Sequence, residues 1–173
     1  VVTSFYPLYF FATQIAQDHA SIINLTPPGA EPHDYEPNTQ DIATIENSNI
    51  LILNGAGLEA WQEKILDIVK NKNVQIVVAA EDLAQHTIEE EGRTIQDPHI
   101  WLDPILAKQE VQKITDAFIK IDPQNRDGYQ TASKQLLMRL DQLNADYTKE
   151  LSSCKQRNAI TSHAAFGYVA SRY

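Results

Sequence analysis

The chain has 173 residues, of which 43% are hydrophobic and 21% are charged, and its formal net charge is −9. This composition is typical of a folded globular protein and not of a disordered one. The acidic balance argues against nucleic acid or an anionic membrane surface as a partner, because both attract basic patches. Cys154 is the only cysteine, so the chain forms neither an internal disulfide nor a cysteine-rich metal site.

Short apolar runs alternate with helical patterns over the first 80 residues. Runs rich in valine and isoleucine predict buried strands at Val1–Phe5, Ile22–Thr26, Ile50–Asn54 and Val74–Ala80. Apolar residues at helical spacing predict the intervening helices at Leu8–Asp18, Thr39–Asn47 and Glu59–Lys70. This alternation predicts an α/β fold in which a parallel sheet carries helices on both faces.

The middle of the chain is different in character. Glu81–Pro98 has no clean period, and it is predicted to be a loop of the length at which loops are functional or mobile. A helix is predicted over Pro104–Lys120, and a longer one from about Asn125 to Ser152, where apolar residues recur every three or four positions. The longer helix would span roughly 40 Å, which is more than a small domain needs.

The end of the chain reads as one more strand and one more helix. We predict a strand over Asn158–Ser162 and the start of a helix over Ala164–Tyr173. These two elements cannot bury a core of their own. They therefore either add to the first sheet or begin a second unit whose remainder lies outside this chain.

Three of the five histidines lie where a parallel sheet places its ligand sites. His33 follows the second predicted strand, His99 leads into the helix at Pro104, and His163 directly follows the last predicted strand. They are far apart in sequence, so any shared site must be assembled by the fold. Three imidazoles suit Zn²⁺, which binds histidine nitrogen at about 2.0–2.1 Å and usually takes four ligands.

Other polar residues near these loops have secondary roles. We expect Asp34, Glu36 and Asp103 to orient the imidazole rings by hydrogen bonding. His19 is expected to be a solvated turn residue. His86 begins the irregular acidic segment, where it either meets incoming cations or is simply solvated, since no histidine-rich tract accompanies it.

Motifs for other chemistry are incomplete. Gly55-Ala56-Gly57 lacks the third glycine of a dinucleotide-binding loop and is predicted to be a tight turn into the next helix. Ser162 precedes His163, but no nucleophile elbow surrounds it. Cys154 has no evident activating base. We therefore predict no catalytic residue and no organic cofactor.

Four segments together resemble the zinc- and manganese-binding solute-binding proteins of ABC importers, in order and with that family's spacing. These segments are Pro28–Pro37, Asn54–Trp61, Asp97–Pro104 and Ser162–Tyr168. The resemblance implies two α/β lobes joined by one long rigid helix, with the metal in the cleft between them. It implies a first lobe at residues 1–122, the connecting helix at 123–153 and the beginning of a second lobe at 154–173.

The resemblance also implies the ligands. His33 and His99 match the two ligands of the first lobe, and His163 matches the first ligand of the second lobe. Zinc members have histidine at this third position and manganese members glutamate, so Zn²⁺ is expected over Mn²⁺, which also prefers oxygen ligands. The family's fourth ligand, a carboxylate, would lie beyond Tyr173. The acidic stretch Gln85–Gln96 stands where some zinc members carry a long histidine-rich insertion.

The leading hypothesis is a non-enzymatic, monomeric protein that binds Zn²⁺ outside the cytoplasm and delivers it to the membrane permease of an ABC importer. It would lie in the periplasm or be lipid-anchored at the outer face of the cytoplasmic membrane. Two alternatives stay open at this point. One is a zinc hydrolase with three histidines and a water on the metal. The other is a surface adhesin, a description given to some relatives.

Overall fold

A computed structural model describes residues 1–90, 92–156 and 158–173 of the chain. The strands are β1 (Val2–Thr3), β2 (Ile23–Asn24), β3 (Ile50–Leu53), β4 (Gln75–Val78), β5 (Thr87–Glu90) and β6 (Arg93–Gln96). The helices are α1 (Tyr6–Ala16), α2 (Thr39–Glu46), α3 (Gln62–Val69), α4 (Pro104–Ile121), α5 (Arg126–Ser152) and α6 (Gly167–Arg172). Every strand and helix predicted before residue 80 is present.

The first four strands form one parallel sheet in the order β2-β1-β3-β4. Strand β1 lies in the centre, with Val2 paired to Ile23 on one side and to Leu51 on the other. Strand β3 then pairs with β4 over its whole length. Because the strands are parallel, the segments that follow β1, β2, β3 and β4 all emerge at the same edge of the sheet.

Both faces of this sheet are covered by helices, as predicted. Strand β3 shows the division, since its residues point alternately to opposite sides. Ile50 and Ile52 pack into the core that contains the apolar faces of α1, α4 and α5. Leu51 and Leu53 pack into a second core with side chains of α2 and α3. All four residues are almost completely buried, which explains why this strand is apolar throughout.

Helix α5 has 27 residues and spans about 40 Å. Only the first half of its apolar stripe is buried against α1 and α4, through Tyr129, Ala132, Leu136 and Leu140. Leu143, the next residue of the stripe, is 38% exposed. The second half of the helix therefore extends past the core of the sheet.

The segment Glu81–Pro98, predicted to be a loop, instead contains an antiparallel hairpin. Strands β5 and β6 pair in register, with Ile88 opposite Ile95 and Glu89 opposite Thr94. Gly92 between them has a φ of 74°, a conformation that glycine adopts without strain. Each of the two strands contains a single strongly apolar residue, Ile88 or Ile95, so no apolar–polar alternation marks them in the sequence and the prediction missed the hairpin.

The strand predicted over Asn158–Ser162 is not formed. These residues are irregular and exposed, and the side chain of Ile160 is fully accessible. A strand needs a neighbouring strand for its backbone hydrogen bonds, and no described strand lies beside this segment. The helix predicted from Ala164 begins three residues later, at Gly167.

Among the described residues, none of the helices is both long enough and apolar enough to cross a membrane.

Glu110 of α4 is an ionisable group inside the core. It is completely buried, and neither carboxylate oxygen has a hydrogen-bond partner among the described residues. Burial raises the pKa of Glu110 to about 8, although the charge of Lys113 opposes this shift. Between the ordinary glutamate pKa and pH 8 the folded chain therefore holds a proton that the unfolded chain has lost. The contribution of Glu110 to the free energy of unfolding is therefore largest at low pH. It falls as the pH rises from the ordinary glutamate pKa to about 8.

Replacing this carboxyl group should remove the loss of folding stability that Glu110 causes as the pH rises. We expect Glu110→Gln, which has the shape of the protonated acid, to raise the free energy of unfolding at pH 8 by about 1–3 kcal/mol. At pH 5 the variant and the wild type should differ little. Urea unfolding at several pH values between 5 and 8 measures this, with exposed Glu63→Gln as the control. An unchanged pH slope in Glu110→Gln would contradict the assignment.

Candidate metal centre

Three histidines from three distant segments converge at one point. His33 lies in the loop after β2, His99 lies between β6 and α4, and His163 precedes α6. The Nε2 atoms of His33 and His99 are 3.4 Å apart, and those of His99 and His163 are 2.8 Å apart. One ring nitrogen from each of the three lies within 4.8 Å of the others. The structure thus brings together all three residues predicted as metal ligands.

These separations are close to what a single small ion requires. Two nitrogens bound tetrahedrally to Zn²⁺ lie about 3.3–3.4 Å apart, which matches the distance between His33 and His99. The shorter distance between His99 and His163 is that of a hydrogen bond between a protonated and an unprotonated ring nitrogen. His163 is exposed, so a small shift of its ring is enough to reach the metal-binding spacing.

The ring of His99 is held by Asp97. This carboxylate accepts a hydrogen bond from Nδ1 of His99 at 2.7 Å and another from the backbone N–H of His99 at 3.0 Å. A carboxylate can only accept, so Nδ1 carries the proton. The lone pair is then on Nε2, which is the atom that faces the other two histidines. The hydrogen bond fixes both the tautomer and the direction of the ligand atom.

His99 is nearly inaccessible, at 2% exposure. Burial lowers the pKa of His99, while the hydrogen bond and charge of Asp97 raise it in part and the neighbouring His163 and His33 lower it further. The net lowering keeps the ring neutral. Neutral imidazole is the form that coordinates a metal.

The loop that carries His33 is fastened to the start of α2. The hydroxyl of Tyr35 donates to the carboxylate of Asp41 at 2.8 Å. The same carboxylate accepts the backbone N–H of Asn38, whose side chain caps the helix in return. This reciprocal cap fixes the end of a proline-rich loop, which limits the entropy that His33 loses when it binds an ion.

A buried glutamate and asparagine support the peptide before His99. The side-chain amide of Asn54 donates to the carbonyl oxygen of Pro98 at 3.0 Å. Glu59 accepts the backbone N–H groups of Asn54 and Gly55 at 2.8 and 2.9 Å. The predicted tight turn at Gly55-Ala56-Gly57 is present, and a side chain on Gly55 would lie 2.4 Å from Val78. The end of β3 is therefore hydrogen-bonded, through Asn54, to the segment that carries His99.

The three acidic residues predicted to orient the rings do not do so. Asp103 caps α4 by accepting the N–H of Ile105 at 2.8 Å, and it pairs with Arg172 at 2.6 Å. Asp34 and Glu36 are exposed, and neither has a described hydrogen bond to an imidazole. Sequence reasoning missed Asp97, although its position gives a signal. An aspartate often accepts the backbone N–H two residues later in the chain.

The other two histidines lie outside the cluster. His19 is exposed, as predicted, and its ring lies 5.7 Å from that of Tyr129. His86 is half-buried, and its ring contacts Tyr168 with a centroid separation of 4.6 Å. His86 is therefore held by an aromatic contact and is not simply solvated.

Comparison with known proteins agrees with this geometry. The family model for "Zinc-uptake complex component A periplasmic", ZnuA, matches residues 1–173. The high-affinity zinc uptake system protein ZnuA of Bacillus subtilis is 34% identical and aligns with 100% of this chain and 58% of its own length. The zinc-binding lipoprotein AdcA of Streptococcus pneumoniae is 33% identical, over 37% of its own length. The chain thus spans little more than half of the first relative and less of the second.

Solved structures share the fold. The Zn(II)-bound ZnuA-like domain of Streptococcus pneumoniae AdcA superposes with a TM-score of 0.90 at 32% identity, covering 99% of this chain and 62% of that one. The laminin-binding adhesin Lmb of Streptococcus agalactiae, solved as a mutant, gives a TM-score of 0.89 at 30% identity and covers 99% and 64%. The resemblance inferred from the four segments is confirmed, and the chain belongs to the ZnuA family of periplasmic zinc-uptake components.

Proposed function

We propose that this chain binds Zn²⁺ through His33, His99 and His163, as part of a protein that delivers the ion to the permease of an ABC importer. The observation that carries the proposal is the convergence of three imidazole nitrogens around Nε2 of the buried His99. Membership of the ZnuA family supports zinc as the ion and uptake as the purpose. An all-nitrogen set of described ligands also favours Zn²⁺ over Mn²⁺.

The same proposal includes the organisation and location of the protein. Residues 1–122 form the first lobe, residues 123–153 the connecting helix and residues 154–173 the beginning of a second lobe. The protein acts outside the cytoplasm, as a monomer, either in the periplasm or anchored by a lipid. The names of its relatives support this location, since they include a periplasmic component and a lipoprotein.

Reversible binding accounts for the site better than either alternative. A hydrolase would need an open fourth position for water, and a carboxylate from a second lobe would close that position. Adhesion requires no converging imidazoles. Here the buried carboxylate of Asp97 orients the imidazole of His99 by a hydrogen bond. We therefore propose no enzymatic activity for this chain.

Loss of a ligand should abolish tight binding. We expect the wild type to bind one Zn²⁺ and His99→Ala to bind it at least about 100-fold more weakly, because the central nitrogen is removed. Titration calorimetry with a competing chelator measures both affinities, and His19→Ala is the control because His19 lies outside the cluster. Equal affinities for the wild type and His99→Ala would refute the proposal. Ester or peptide turnover that depends on His33 would favour the hydrolase instead.

The carboxylate behind His99 should matter although it does not face the ion. We expect Asp97→Asn to weaken Zn²⁺ binding by about 10–100-fold, since the amide no longer fixes the tautomer of His99. Asp34→Asn is a matched control, because it removes the same charge from an exposed position one residue from His33. It should change the affinity less than about twofold. If both variants lose affinity equally, bulk charge and not ring orientation is the cause.

A further inference from the structure

Tyr168 of α6 joins parts of the chain that are distant in sequence. Its side chain is 2% exposed. The hydroxyl donates to the backbone carbonyl of Asp97 at 3.0 Å and accepts the backbone N–H of Gln85 at 3.2 Å. The ring lies against His86. Gln85 and His86 precede β5, and Asp97 follows β6. Tyr168 therefore joins the two strands at the open base of the hairpin.

Asp97 links this closure to the candidate metal centre. Its backbone N–H donates to the carbonyl of His86 at 2.9 Å, which completes the base of the hairpin. Its side chain orients His99. Gly167, the neighbour of Tyr168, lies directly over this side chain, because a Cβ placed on Gly167 would be 2.7 Å from Oδ2 of Asp97. Helix α6 thus covers Asp97 through both of its first two residues.

The position of His163 depends on the same helix. His163 lies in an exposed, irregular segment. Its carbonyl accepts hydrogen bonds from Thr161 and Ala165, which are local and do not attach the segment to the sheet. Apart from the contact of its own ring with His99, the segment of His163 is attached through the docking of α6, by the hydroxyl of Tyr168 and the ion pair of Arg172 with Asp103.

We propose that Tyr168 is a positioning residue that couples metal binding at the three histidines to the closure of the β5–β6 hairpin. An ion bound by both His163 and His99 stabilises the docked α6, and the docked α6 holds Gln85 and Asp97 through one hydroxyl. The coupling is reciprocal, so a closed hairpin also tightens the metal site. This inference rests on the proposed zinc binding.

Tyr168 in α6 and Tyr173 directly after this helix allow a matched test. Tyr168→Phe removes the hydroxyl that bonds Asp97 and Gln85, whereas Tyr173→Phe removes one that donates to the side chain of Asn144 on α5 at 2.8 Å. Each variant loses one hydrogen-bonding hydroxyl, from α6 or from the residue that caps its end. We expect Tyr168→Phe to weaken Zn²⁺ binding about tenfold, and Tyr173→Phe to weaken it less than about twofold. Competition with a chromophoric chelator measures both.

Hydrogen exchange separates coupling from a general loss of stability. In the wild type, saturating Zn²⁺ should slow exchange at the amides of Gln85, Ile88 and Ile95, since Ile88 and Ile95 form a hydrogen-bonded pair of the hairpin. In Tyr168→Phe this Zn²⁺-dependent protection should be largely lost even when the site is saturated, while Tyr173→Phe should keep it. Gly167→Ala gives an independent test, because it retains every hydrogen-bonding group but crowds Asp97. It should weaken Zn²⁺ binding and reduce the protection as well.

The outcomes are distinct. A wild-type chain that binds no Zn²⁺ overturns the proposed function itself. A wild type that binds Zn²⁺, with Tyr168→Phe and Tyr173→Phe equal in affinity and protection, overturns only the role of Tyr168. Weaker binding by Tyr168→Phe with full protection of the hairpin amides also overturns the coupling.

Discussion

The contact on which the site depends is the hydrogen bond from Nδ1 of His99 to the carboxylate of Asp97. It places the proton on the nitrogen that faces away from the other histidines, so that Nε2 is free to bind an ion. The contact is possible only because both residues are buried together. Water does not compete for the carboxylate there, and the ring cannot turn away.

Most of the surrounding structure keeps this pair in place. From the sheet side, Asn54 holds the carbonyl of Pro98, and Glu59 holds the turn that carries Asn54. From the opposite side, Tyr168 holds the carbonyl of Asp97. These groups are buried polar atoms, and each would be costly to leave without a partner. These hydrogen bonds hold the segment before α4 from two sides.

The buried carboxylates of this chain differ in the partners they have. Asp97 and Glu59 each accept two backbone or ring N–H groups. Glu110 accepts none from the described residues, and burial raises its pKa to about 8. Burial also raises the pKa of Glu59, although the N–H groups bonded to it oppose the shift. Asp97 and Glu59 hold the backbone around His99 and Asn54, whereas Glu110 is an acid in the core that has no described hydrogen-bond donor. The role of a buried acid in this chain therefore depends on the hydrogen-bond donors around it and not on burial alone.

The sequence by itself determined the α/β architecture of the parallel sheet with its helices and pointed to the three histidines, because both have local signatures. Hydrophobic runs and helical spacing predict β1 to β4 and the helices between them, and each histidine lies in a segment between two predicted elements. The long helix was also predicted, but its apolar stripe could not show that burial ends near Leu140. Burial depends on what packs against each turn of the helix.

Only the tertiary structure decided which side chains meet. It selected Asp97 over Asp34, Glu36 and Asp103 as the partner of an imidazole, because a hydrogen bond requires a distance and a direction that spacing in sequence does not supply. It paired β5 with β6 and left residues 158–162 without a strand, since strands form only where a neighbour provides hydrogen bonds. The histidines are evident from the sequence, but the arrangement that makes them one site exists only in the fold.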